Sequence, residues 1–204
     1  MNEYLTIDSE CQTTYEILRS VFLCTIKGID SFDEGLEFCR HVAKKYTTAT
    51  HNCYAIITFD SQKFSDDGEP QGTAGQPILQ VLKNNSLYNV ACVVTRYFGG
   101  IKLGAGGLVS AYTKSVTECL KNAKVIKKVK SYQGKLILDY NEFAQFNNYL
   151  LSNNYIITNA VYHDTVEIDF AVPTNVKQAV QDMVSSITAG KKSIDWIGQN
   201  YFVY

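Results

Sequence analysis

The chain has 204 residues, 46% of them apolar, 12% aromatic and 19% charged, with 3 prolines and a formal net charge of −1. That composition excludes intrinsic disorder, a collagen-like repeat and a coiled coil, and no apolar run reaches the ~18 residues of a membrane span. Met1-Asn2-Glu3-Tyr4 lacks the basic-then-apolar pattern of a signal peptide, so a cytoplasmic protein of one large or two small domains is expected.

The first helix signal is Ser31-Phe32-Asp33-Glu34, an S-x-x-E capping box followed by Leu36, Cys39 and Ala43 at helical spacing. Residues 52–59 are β-branched and apolar and predict a strand. A polar loop is expected over 60–75, and Pro77 suits the first turn of the next helix, which carries Ile78, Val81 and Leu82. A buried strand over 88–98, a glycine loop over 99–107, a helix over 108–122 and a Lys-rich strand over 125–130 complete a first domain, 1–130. After Ser131 the pattern changes. Strands over 134–140, 155–162, 165–172 and 193–204, with helices over 142–153 and from Pro173 to Gly190, give β-α-β-β-α-β, the split βαβ or ferredoxin-like plan, for a second domain, 131–204. The fold class expected is α+β.

The six cysteines, Cys11, Cys24, Cys39, Cys53, Cys92 and Cys119, include no C-x-x-C pair, and several sit in apolar runs. They read as reduced packing residues rather than a disulfide framework or a zinc site. Charge is unevenly distributed: 1–70 holds 6 basic and 12 acidic residues, 71–130 holds 9 and 1, and 131–204 holds 4 and 7. The middle block is therefore net +8. A basic stripe can attract phosphate, but for the lysines over 121–130 alone a solvated face balanced by the acidic first third is the preferred reading.

Two segments carry chemistry. In Ser65-Asp66-Asp67-Gly68-Glu69-Pro70-Gln71-Gly72-Thr73-Ala74-Gly75, Asp66, Asp67 and Glu69 offer oxygen ligands to a hard cation, making Mg²⁺ a candidate cofactor, and Thr73 or Gly75 can cap the following helix. The competing reading is that the acidic residues only make tight turns. In Arg96-Tyr97-Phe98-Gly99-Gly100-Ile101-Lys102-Leu103-Gly104-Ala105-Gly106-Gly107, glycines let backbone N–H groups approach an anion, with Arg96 and Lys102 adding cations. The loop is neither a dinucleotide fingerprint nor a Walker A motif, and close strand–helix packing weighs equally. The candidate ligand-binding residues are thus Arg96, Gly99, Gly100, Lys102, Gly104, Gly106, Gly107 and Thr73. His51 and Cys53, two apart on a strand, form a weaker candidate thiolate–imidazolium pair.

At these segments the sequence resembles the IMPACT/YigZ family. The residues that carry the likeness are 49–53 (Ala-Thr-His-Asn-Cys), 66–75 (Asp-Asp-Gly-Glu-Pro-Gln-Gly-Thr-Ala-Gly) and 94–109, and the resemblance covers about the first 130 residues. The remainder resembles the C-terminal domain of bacterial-type members. The resemblance implies a first domain similar to the second domain of small-subunit ribosomal protein five. It implies a ferredoxin-like second domain similar to one in elongation factor G, and association with RNA or the ribosome. Eukaryotic members regulate a translation-control kinase through its activator, and that partner is not carried over. The family's Lys-Ser-x-Phe entry stands here as Arg19-Ser20-Val21-Phe22, and the helix after the loop reads Ser110-Ala111-Tyr112-Thr113.

Two functions compete: a nucleic-acid- or ribosome-associated regulatory protein, and a Mg²⁺-dependent enzyme acting on a phosphorylated small molecule or nucleotide. If the two motifs act together, Asp66, Asp67, Glu69 and Thr73 lie within a side chain's reach of Arg96 and the glycine loop, since clustered carboxylates need a nearby cation. RNA contact is expected from the first domain through Arg96, Lys102 and the 121–130 stripe. The second domain is expected to present Glu167, Asp169 and Asp139 on its open face, and to adjust orientation or recruit a protein partner.

Overall fold

The computed structural model describes all 204 residues, which form two compact units: Leu5–Ile126, and Lys127–Tyr204 together with Met1–Tyr4. The second unit thus takes four residues from the far end of the chain. There β1 (Glu3–Ile7) joins the sheet of β7 (Val125–Leu138).

The first unit's sheet contains β2 (Cys11–Ile17), β3 (Ser20–Gly28), β4 (His51–Ile57), β5 (Gln62–Ser65) and β6 (Val90–Tyr97), in the order β2-β3-β6-β4-β5. Its neighbours are antiparallel throughout. β6 is central and reads as a continuous apolar run because both faces are covered. On one face, Cys24, Ile26, Cys53, Ala55, Cys92 and Val94 pack with α2 (Gly75–Asn84) and α3 (Gly104–Asn122). On the other, Ile56, Ala91 and Val93 meet α1 (Phe32–Lys45).

Helix α1 starts where its box predicts: Ser31 Oγ accepts from Glu34 N–H, although the Glu34 carboxylate reaches Asp30 N–H rather than the cap residue's own. Three differences from the sequence reading stand out. The loop expected over 60–75 contains the edge strand β5. Helix α3 begins four residues early, inside the glycine loop. The two strands expected on either side of Ser131 are one, β7 (Val125–Leu138), which carries the chain from one unit into the other.

The second unit runs β7, α4 (Tyr140–Ser152), β8 (Ile156–Tyr162), β9 (Val166–Pro173), α5 (Lys177–Ile187) and β10 (Asp195–Val203). The order β10-β7-β9-β8, all antiparallel, is the ferredoxin-like arrangement. Leu136, Leu138, Ile168, Phe170 and Val172 meet Phe146 and Leu150 of α4 and Val180 and Val184 of α5. Glu167 and Asp169 alternate with these residues on β9, and Lys135 lies 3.6 Å from Asp169. Asp139 does not join them: it caps α4 in a reciprocal box with Glu142. No helix is long and apolar enough to cross a membrane.

Candidate functional site

Strand register assembles the site. Phe22 on β3 and His51 on β4 both pair with Arg96 on β6, so the three side chains form a row across the end of the sheet, on the face that α3 covers. The Arg96 guanidinium lies 5.4 Å from the Phe22 ring and 5.5 Å from that of Phe98, and only 5% of the residue is exposed. A cation so buried requires a partner, and Glu69 supplies it: Arg96 Nη1 donates to Glu69 Oε1 at 2.6 Å. Tyr112 of α3 donates to the same oxygen at 2.8 Å. Arg96 Nε, shut off from solvent, has no partner.

The other acidic-motif residues point elsewhere. Asp66 accepts from the N–H groups of Gly72, Ala74 and Gly75, closing the loop and capping α2. Asp67 accepts from Asn52 N–H, and Thr73 Oγ1 donates to the Pro70 carbonyl. No group of three or more His, Cys, Asp or Glu side chains converges to hold a metal. The carboxylates that suggested Mg²⁺ therefore organise the loop, and Glu69 alone of the three reaches Arg96.

Above this pair opens a cleft of about 420 Å³, lined by Thr50, His51, Glu69, Pro70, Arg96, Phe98, Lys102, Leu103, Gly104, Ala105 and Leu108. The start of α3 forms one wall. Its N-terminal turn has no side-chain cap and no acidic residue, so its free N–H groups and the helix dipole favour an anion there. The glycines divide by role. A Cβ on Gly99 would lie 2.0 Å from the Arg19 backbone, so Gly99 is required for packing against the β2–β3 turn. Gly100 and Gly104 have φ of +87° and +71°, and Gly107 faces the Leu103 side chain at 3.1 Å. Gly106 has none of these reasons: its Cβ would meet nothing within 4 Å and its φ is not positive. A glycine in a helix costs about 1 kcal/mol relative to Ala, and at Gly106, which does not line the cleft, no packing contact offsets that cost.

His51 donates from Nδ1 to the Asp67 carbonyl at 2.7 Å, and its Nε2 lies 3.9 Å from Glu69 Oε2. Cys53 shares its face of β4 but not the cleft. It is fully buried, 3.2 Å from Tyr112 Oη, and burial pushes its thiol up to about 12. The thiolate–imidazolium pair does not form.

Burial also holds the Cys39 thiol up to about 12. The unfolded thiols lose their protons near 9, so stability is full below that pH and falls as pH rises from 9 toward 12. Urea midpoints should show about 2 kcal/mol lost per such thiol at pH 10.5 relative to pH 8. Unchanged midpoints would contradict the burial.

Three lysines of the basic stripe face carboxylates at the surface: Lys121 pairs with Glu118, Lys124 with Asp8 and Lys127 with Glu3. What sequence reasoning missed is Tyr112, whose helical spacing reads as core although its hydroxyl reaches Glu69, and the half-exposed Phe98 at the cleft.

These features define a two-unit α+β protein, with a ferredoxin-like second unit and a first unit that opens a helix N-terminus over a buried Arg–Glu pair. Residues 18–120 match the Impact N-terminal domain, and residues 136–191 match a domain of unknown function (DUF1949). The chain belongs to the IMPACT family. It is 36% identical over 197 residues to the IMPACT family member YvyE of Bacillus subtilis (strain 168), covering 95% of this chain and 91% of that protein. It is 32% identical over 178 residues to the IMPACT family member YigZ of Escherichia coli (strain K12), covering 85% and 87%. A crystal structure of a hypothetical protein matches with a TM-score of 0.64 at 28% identity, covering 97% of this chain and 98% of that one.

Proposed function

We propose that the chain is a nucleic-acid-binding protein whose cleft receives a phosphate of single-stranded RNA, free or on the ribosome, in a cytoplasmic regulatory role. The observation that carries this reading is the meeting of the uncapped α3 N-terminus with Arg96, a buried cation whose Nε lacks a partner, in one cleft. Lys102 adds a second, exposed cation. Phe98, 45% exposed beside it, offers a face on which a base can stack, as single-strand binders use aromatics. Within this reading the second unit, rich in carboxylates, serves a protein partner.

A short fluorescent single-stranded RNA tests the proposal. Two to three phosphate contacts predict that affinity falls about tenfold between 50 and 200 mM salt. Salt-independent binding, or none at 50 mM, would contradict it. A phosphorylated small molecule is the second reading, favoured by a cleft volume within the range of small-ligand sites. Thermal shifts with ATP, GTP and sugar phosphates but none with RNA would select it.

A further inference from the structure

We propose that the cleft also cleaves the RNA it holds, His51 acting as general base on the ribose 2′-hydroxyl. This rests on the RNA-binding reading and adds a reaction to it. The Asp67 carbonyl can only accept, so the proton of the 2.7 Å hydrogen bond is on Nδ1 and Nε2 of the neutral ring carries a lone pair. The ring is thereby fixed in one orientation, in the cleft, beside Arg96 in strand register. A ring held this way in the cleft serves as general base once a 2′-hydroxyl comes within hydrogen-bond reach of Nε2. Glu69 Oε2 lies 3.9 Å from the same nitrogen, too far for a direct hydrogen bond, and its charge favours the imidazolium that forms.

The anion stabilisers are already in place. The free N–H groups of α3 can take the charge that builds on the phosphate oxygens, and the Arg96 guanidinium at the cleft adds its positive field. RNA brings its own nucleophile. His51 Nε2 removes the 2′-hydroxyl proton, and the 2′-oxygen forms a bond to the adjacent phosphorus. The bond from phosphorus to the 5′-oxygen breaks, and that oxygen takes a proton from the Lys102 ammonium at the cleft wall. The products are a 2′,3′-cyclic phosphate and a free 5′-hydroxyl. His51 releases its proton to solvent and Lys102 recovers one, so the residues return to their starting states.

The test uses the full chain in EDTA buffer at pH 5–8 with three 12-mers of one mixed sequence: RNA, its 2′-O-methyl form and DNA. The expected result is that the wild type cuts only RNA and leaves 2′,3′-cyclic phosphate ends. His51→Gln, purified in parallel and melting like the wild type, cuts at least about 100-fold more slowly while binding the 2′-O-methyl strand within about threefold. Wild type that binds the 2′-O-methyl strand yet leaves RNA intact overturns the catalytic proposal and spares the binding reading. Equal cutting by His51→Gln also overturns it. Failure to bind any strand overturns both.

Discussion

Replacing Glu69 with Ala should lower stability by about 3–5 kcal/mol in urea denaturation. The cost comes from what remains behind. The Arg96 side chain is 6% exposed and its one hydrogen bond goes to Glu69 Oε1. Removing one partner of a buried ion pair leaves an uncompensated charge in low dielectric, which is worth several kcal/mol. Tyr112 Oη loses its acceptor in the same step. Against a total stability of about 5–15 kcal/mol for a domain, the variant stands near the edge of folding. Glu69→Leu combined with Arg96→Met removes both charges and should cost less than Glu69→Ala alone, because the loss is dominated by the orphaned cation rather than by the pair. A Glu69→Ala effect below about 1 kcal/mol would mean that solvent reaches Arg96 freely.

The same pair shows how far the sequence reaches. Clustered carboxylates require a cation, and Arg96 at the end of an apolar strand was the evident one. Glu69 meets that cation, whereas Asp66 and Asp67 are satisfied by backbone N–H groups instead. Backbone donors leave no trace in residue identity. The family entry motif shows another gap between pattern and place. Ser20 accepts from Gly99 N–H, and Phe22 lies against both Arg96 and Tyr112. A motif more than 70 residues from the glycine loop is therefore part of its foundation.

Helices were legible wherever periodicity and caps agreed, as at Ser31 and Pro77. The hairpin joining β2 and β3 was not, because its turn uses Leu18 and Arg19 at φ of +45° and +63°. Such turns usually announce themselves with Asn-Gly or Gly. Gly134 shows a second such case: the sequence reading starts a new strand there, over 134–140. In the structure it lies inside β7, where a Cβ would come within 2.7 Å of the Phe170 ring. The glycine makes room for an aromatic from the neighbouring strand, which is a tertiary reason that a local pattern does not carry. Asp139-x-x-Glu142 is the same capping signal as Ser31-x-x-Glu34, hidden because Asp139 follows directly on an alternating strand.

The second large effect concerns ligand rather than fold, and Ala105 isolates it. Ala105 lines the cleft, is exposed and already carries a Cβ, so an aspartate there needs no unusual backbone angle. In the first turn of α3 it sets a negative charge against the positive end of the dipole, which offsets the lower helix propensity of aspartate, each worth a few tenths to about 1 kcal/mol. The same carboxylate stands in the cleft where the phosphate is proposed to sit, repelling it and competing for the N–H groups that would bind it. Titrating single-stranded RNA into the Ala105→Asp chain at 50 mM salt, alongside a thermal melt, therefore separates structure from function. The expected result is a melting temperature close to that of the wild type, with affinity reduced at least about 30-fold. Wild-type affinity in a chain that melts normally would show that the N-terminus of α3 does not hold the phosphate.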